Sequence, residues 1–232
     1  MKLIDFKKNV YSQNGEDGII EKVFEIIGCK SSMCVEFGAW DGIKFSNTAN
    51  LWKRKSWYAI LIESDLDKYK ELVKNTKDYE CQAYNMKVDI EGYNSIDTIV
   101  HNNAVDLMSI DIDGEDYYIF ESMKARPRVI LCEYNPTIPT DIWYADKTFG
   151  CSIKALVDLA ESKGYNFVGA TESNGIFVLN EYFSKFKEYE TDLSVVPKTN
   201  LTHIMTAPNG SFMFSRVPCF VDETQFAFKV IK

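Results

Sequence analysis

The chain has 232 residues, 46% of them apolar, with a formal net charge of −8. That composition supports a sizeable core and excludes a disordered chain, and the length suits one α/β domain. The acidity argues against nucleic-acid phosphates as the main partner and, spread along the sequence, mostly reports solubility.

No run approaches the roughly 18 consecutive apolar residues of a membrane-spanning helix. Residues 1–10 carry three lysines with no apolar run behind them, unlike a secretory signal, so the expected compartment is the cytoplasm. The six cysteines (29, 34, 81, 132, 151 and 219) form no C-x-x-C pair, and Cys34, Cys81 and Cys132 sit in apolar runs as small buried hydrophobes. Neither a structural zinc site nor a disulfide framework is expected.

The first helical pattern covers Glu16–Ile27, with Ile19, Ile20, Val23, Phe24 and Ile27 on one face. Asn14 is its expected cap, and Glu16 and Asp17 suit the positive end of the helix dipole. Short apolar runs then alternate with helical ones. Strands are predicted at Met33–Phe37, Trp57–Ile62, Glu80–Tyr84, Val105–Ile110 and Val129–Cys132. Helices are predicted at Thr48–Lys55, Leu66–Lys74, Ser95–His101 and Asp116–Met123. A loop from Glu133 to Gly150 leads to helix Ile153–Lys163, stopped by Gly164, and to closing strands Tyr165–Gly169 and Ile176–Leu179. The alternation predicts a mostly parallel sheet covered on both faces, with ligands outside the carboxyl ends of its strands.

The first strand runs into Glu36-Phe-Gly-Ala-Trp-Asp-Gly42. Gly38 permits close approach of a ligand to the backbone, and Gly42 permits a positive φ. Glu63, at the end of the second strand, lies at the spacing from this turn that suits a carboxylate on a ribose diol. A dinucleotide site requires G-x-G-x-x-G, but here Glu36 replaces the first glycine and Asp41 enters the turn. Two carboxylates repel a pyrophosphate and suit a sulfonium cofactor bearing an ammonium group, so the residues favour S-adenosylmethionine.

Tyr11-Ser-Gln-Asn-Gly-Glu-Asp-Gly18, Val35–Gly42, Ser46-Asn-Thr48 and Ser109-Ile-Asp-Ile-Asp-Gly-Glu-Asp-Tyr117 together resemble FkbM-type methyltransferases, specifically bacterial members found among polysaccharide genes. The resemblance spans roughly residues 11–180 and implies the class I methyltransferase fold: a Rossmann-like, seven-stranded sheet whose last strand is antiparallel. It implies that Glu36, Gly38 and Asp41, with Gly42, surround the methionine part of the cofactor. Glu63 would hold the ribose, Asp89 would lie near the adenine and Asp111 beside the amino group, with Ser64 also among the cofactor-binding residues. Gln13, Ser46 and Asn47 would close the site, although Gln13 and Ser46 are equally explained as helix caps.

Asp111, Asp113, Glu115 and Asp116 follow the fourth strand, and Glu133 and Asn135 follow the fifth. Such oxygen donors suit a hard cation, Mg²⁺, Mn²⁺ or Ca²⁺ and for catalysis Mg²⁺ or Mn²⁺, with Asp111, Glu133 and Asn135 as candidate ligands. Catechol-type O-methyltransferases place metal ligands similarly, but here the pair is Glu-x-Asn rather than adjacent residues. The plainer reading gives Asp111 to the cofactor and starts a helix with Glu115 and Asp116. Without a metal a general base is required: Asp113 and Glu133 qualify if neighbours raise their pKa, and His203 is the weaker candidate.

The Tyr134–Gly150 loop, with Trp143, Tyr144 and Phe149, suits an acceptor wall or hydrophobic cover for the sheet edge. Residues 1–232 are expected to form one domain, with a helical segment over 1–30 and residues 181–232 as a lid or homodimer contact. The activity implied by the resemblance is O-methylation of a sugar, free or nucleotide-linked, in capsule or surface-polysaccharide synthesis. The alternatives are a non-catalytic binding subunit and a NAD-dependent sugar-modifying oxidoreductase.

Overall fold

The structure, a computed structural model, describes residues 1–198 apart from 102, 113 and 148, together with the strands His203–Thr206 and Phe212–Ser215. Five parallel strands come first: β1 (Met33–Phe37), β2 (Tyr58–Glu63), β3 (Cys81–Asn85), β4 (Leu107–Ile110) and β5 (Val129–Glu133). A small ribbon, β6 (Ala145–Asp146) with β7 (Gly150–Cys151), interrupts the loop that the sequence predicted as irregular. β8 (Tyr165–Ala170) and β9 (Asn174–Leu179) complete the main sheet, and β10 (His203–Thr206) pairs antiparallel with β11 (Phe212–Ser215).

The main sheet has the order β3-β2-β1-β4-β5-β9-β8, with β9 antiparallel to both neighbours. This is the seven-stranded class I methyltransferase arrangement expected from the sequence. The order reverses between β1 and β4, so the crevice above their carboxyl ends is the switch point where such sheets take ligands.

Alternation along the strands builds a core on each face. Val35, Phe37, Ile60, Ile62, Met108, Ile110, Ile130 and Cys132 face α4 (Ile96–Val100), α5 (Asp116–Ser122) and α6 (Ile153–Ser162). Cys34, Ala59, Leu61, Leu107, Val129 and Leu131 face α1 (Glu16–Ile27), α2 (Ala49–Arg54), α3 (Leu66–Thr76) and α7 (Asn180–Phe183). The periodicity located α1 to the residue, but its expected cap is corrected. Gly15, at φ +97°, occupies the N-cap without a side-chain hydrogen bond. Glu16 and Asp17 are buried rather than set in solvent at the helix end.

An ion pair locks the amino ends of β4 and β5. Asp106 Oδ2 accepts the amides of Lys30, Ser31 and Ser32 at 2.8–2.9 Å, and Oδ1 accepts Arg128 Nη1 at 2.7 Å. Arg128 also donates to the Ile27 and Gly28 carbonyls and to the Tyr182 hydroxyl, tying α1 and α7 to the sheet. Burial pushes the Asp106 carboxyl up, but Arg128 and the three amides outweigh it and hold its pKa below the usual value.

Arg128→Met strands the buried Asp106 carboxylate and is expected to cost about 3–5 kcal/mol in urea unfolding. Because the folded pKa of Asp106 is lowered, its stabilisation is complete above the unfolded value of 3.8 and is lost as pH falls through the folded value. The stability gap between wild type and Asp106→Asn should therefore narrow on acidification below about pH 4. A gap independent of pH contradicts the assignment.

Candidate cofactor and acceptor site

Above the carboxyl ends of β1, β2, β4 and β5 lies a cavity of about 940 Å³, at the upper end of the range for small-molecule sites. The beginning of β9 faces the same way because that strand is antiparallel, and it adds Asn174 to the wall.

Glu36 closes β1 and is buried. Its carboxylate accepts Ser46 Oγ and Thr48 Oγ1 at 2.6 Å and the Asn47 amide at 2.7 Å. Burial raises the Glu36 pKa, and these three donors pull against it. Asn47 Nδ2 donates in turn to Ser109 Oγ on β4, so one carboxylate fixes the 46–48 turn and couples it across the switch point. Ser46 also accepts the Thr48 and Ala49 amides, combining the cavity position and the helix-end role between which the sequence left it.

Gly38 has φ +67°, and a Cβ there would lie 1.9 Å from the Asp111 carbonyl oxygen. The β1 and β4 loops therefore meet only because residue 38 lacks a side chain. Trp40 and Phe45 line the same wall in left-handed backbone, at φ 50° and 61°, a strained state for aromatic residues. Glu63, 6% exposed, accepts the Trp40 amide on Oε2 at 2.9 Å and the Asp65 amide on Oε1 at 2.7 Å. Each oxygen retains one lone pair for a ligand hydroxyl.

Of the residues expected at the site, Gln13, Glu36, Gly38, Ser46, Asn47, Glu63, Ser64, Asp111 and Glu133 line the cavity. Asp41, Gly42, Asp89 and Asn135 do not. The Asp41 carboxylate accepts the amides of Ile43 and Lys44, shaping the turn. Gly42 packs against Leu72 of α3, where a Cβ would lie 2.5 Å from Leu72 Cδ1. Asp89 is exposed and bridges to Ser95 through its backbone. Asn135 lines a smaller pocket of about 370 Å³ that shares Glu133 with the main cavity. Asp113 and the His203 side chain lie outside the described residues.

The proposed metal trio does not fit as three donors. Asn135 Oδ1 accepts both the amide and the hydroxyl of Thr137, which uses its two lone pairs. Among the described residues no group of three acidic, histidine or cysteine side chains gathers around a cation position. Asp116 instead accepts the amides of Ile112 and Gly114, and Glu115 pairs with Lys87 at 2.8 Å.

On the side of the cavity that Gln13 had marked, sequence reasoning missed Asn14 and Glu16 from the N-terminal segment and Ser173 and Asn174 from the β8–β9 turn. Glu16 Oε1 accepts Thr171 Oγ1 at 2.7 Å and Asn174 Nδ2 at 3.1 Å, and Asn14 Nδ2 donates to Ser173 Oγ at 3.0 Å. The partners are more than 150 residues apart. Only the conflict of an acidic residue beside an apolar helix face hinted at a buried role.

No family model and no curated protein matches the chain. Solved structures of similar fold include the N-terminal domain of EvdMO1 with SAH bound, 10% identical over 73% of this chain and 81% of that one, TM-score 0.48. Others are an S-adenosylmethionine-dependent methyltransferase from Clostridium acetobutylicum ATCC 824 (13% identity, 71% and 90% coverage, TM-score 0.47) and a TehB-like SAM-dependent methyltransferase from Corynebacterium glutamicum ATCC 13032 (12%, 74% and 89%, 0.45). At these identities the likeness concerns the fold alone.

The Gly38–Asp111 contact predicts that Gly38→Ala is much more destabilising than Gly28→Ala. Gly28 also has positive φ but nothing within 4 Å of an added Cβ, so only backbone strain of about 1–3 kcal/mol is expected there. Equal urea midpoints for the two variants would contradict the close approach.

Proposed function

We propose that this chain is an S-adenosylmethionine-dependent O-methyltransferase acting on a hydroxyl of a sugar or nucleotide-linked sugar, as the FkbM-type resemblance implies for capsule or surface-polysaccharide synthesis. The observation that carries the cofactor reading is the set of carboxylates at the switch point: Glu36, Glu63 and Asp111 line one wall beside Gly38. In this reading Glu63 offers its remaining lone pairs to the ribose diol, and Asp111 faces the ammonium group. Gly38 lets the cofactor lie against the backbone. A pyrophosphate fits this wall poorly, because residues 38–48 separate β1 from α2 and no helix N-terminus follows the glycine turn directly.

Bound S-adenosylmethionine supplies an electrophilic methyl group on a sulfonium. Chain residues must then orient the acceptor oxygen and take its proton as the O–CH₃ bond forms. Glu133 is assigned as the base because it belongs to both the large cavity and the smaller pocket behind it. Asn135 holds the loop over that pocket, with Nδ2 donating to the Phe149 carbonyl. Trp40 and Phe45, both about half exposed at the cavity, offer faces for a ring-shaped ligand.

Calorimetric titration with S-adenosylhomocysteine, with and without Mg²⁺ or Mn²⁺ and with NAD as control, tests the central reading. Micromolar binding of S-adenosylhomocysteine and none of NAD is expected. Preferential NAD binding would move the oxidoreductase alternative to first place, and no binding of either would favour the binding-subunit alternative. Glu63→Gln should weaken S-adenosylhomocysteine by about tenfold, the loss of one charge-assisted hydrogen bond. Glu133→Gln should instead leave that affinity unchanged and lower methyl transfer by about 10²–10⁴. A variant that transfers methyl at the wild-type rate removes Glu133 as the base.

A further inference from the structure

The wall formed by the N-terminal segment and the β8–β9 turn contains a polar atom that the fold leaves unused. Asn174 is 3% exposed and lines the main cavity, and its Oδ1 has no hydrogen-bond partner among the described residues. An unsatisfied buried acceptor carries a desolvation cost, so its persistence requires an explanation.

The orientation of the amide is fixed by its neighbours. Nδ2 donates to Glu16 Oε1 at 3.1 Å, and turning the amide over would set oxygen against oxygen. Glu16 is itself immobilised by Thr171 Oγ1 at 2.7 Å and the Asn14 amide at 2.8 Å. The turn beneath is equally constrained: the Asn174 amide donates to Thr171 Oγ1, the Tyr134 amide donates to the Ser173 carbonyl, and the Tyr134 hydroxyl donates to the Thr171 carbonyl. Asn174 cannot satisfy Oδ1 by rotating without giving up Glu16.

Across the sheet Asn174 is paired with Glu133, the last residue of β5. An acceptor oxygen held rigid on the strand partner of the assigned base, in the cavity that both residues line, calls for a ligand that brings a donor. We infer that Asn174 is an acceptor-positioning residue: its Oδ1 receives a hydrogen bond from a hydroxyl of a polyhydroxylated acceptor, next to the hydroxyl that Glu133 deprotonates. This assignment rests on the methyl-transfer reading of the cavity. It explains why Glu16 is buried at the start of α1: its carboxylate sets the direction in which Asn174 presents oxygen. A neutral glutamine at position 16 would permit either amide orientation.

The test uses the full chain saturated with S-adenosylhomocysteine and titrates it calorimetrically with a nucleoside diphosphate hexose, its monodeoxy analogues and the corresponding amino hexose. Wild type should bind the hexose about 5–10-fold more tightly than Asn174→Leu, with S-adenosylhomocysteine affinity the same in both. One monodeoxy analogue should lose the same factor on wild type and nothing on the variant, a pattern that a merely structural role does not produce. If Asn174→Leu fails to fold, Asn174→Thr and the analogue series on wild type give the same comparison. Equal affinities of wild type and variant for every probe, including binding of none, overturn the inference. An amino hexose that alone shows the difference overturns the assignment to a hydroxyl donor. Failure of S-adenosylhomocysteine to bind wild type sinks the cofactor reading separately, and the sugar titrations are then read on the unloaded protein.

Discussion

A carboxylate buried near the end of β1 organises the switch-point edge of the sheet. Glu36 accepts two hydroxyls and one amide from Ser46, Asn47 and Thr48, which offsets part of the cost of removing its charge from water. That demand draws the chain after β1 back over the strand end. α2 then begins at Ala49, and Asn47 reaches Ser109 on β4. The β1 loop approaches β4 so closely at Gly38 that a side chain has no room. The crevice at the switch point thus takes its shape from one anion and one missing Cβ.

The same device recurs through the fold. Asp17 gathers the amides of Val10, Tyr11 and Ser12, Asp97 those of Lys124 and Ala125, Asp106 those of residues 30–32, and Asp116 those of Ile112 and Gly114. Loops between the helices and strands leave backbone N–H groups without partners in either, and a carboxylate satisfies two or three of them at once. Part of the acidity that composition assigns to solubility is therefore structural. In the acidic run after β4, Asp116 shapes the loop and Glu115 meets Lys87, while Asp111 and Glu115 line the cavity.

The two sides of the cavity have different origins. The side nearest β1 and β2 is built by residues close in sequence to the ends of those strands, where a turn and a carboxylate follow their own strand. The opposite side joins the N-terminal segment to the β8–β9 turn through Glu16, Thr171 and Asn174. Because β9 runs against its neighbours, its first residue rather than its last meets the crevice. An antiparallel strand in an otherwise parallel sheet thus supplies polar groups where the parallel strands supply acids.

The sequence by itself determined the order of the strands and larger helices of the main sheet, its covering on both faces, and the placement of Glu36, Gly38, Glu63 and Asp111 at the cavity. Apolar periodicity is a local signal, and functional groups at the end of a parallel strand stay next to the run that announces them. Only the tertiary structure decided that Asp41, Gly42 and Asn135 serve their own loops, since a turn carboxylate and a ligand carboxylate look alike in one dimension. It also decided that Glu16 and Asp17 are buried and that Asn174 lines the site. For Glu16 and Asn174 those roles depend on contacts between segments more than 150 residues apart and on the reversal of one strand, and for Asp17 on a loop folded back over the helix start, none of which leaves a periodic trace in the chain.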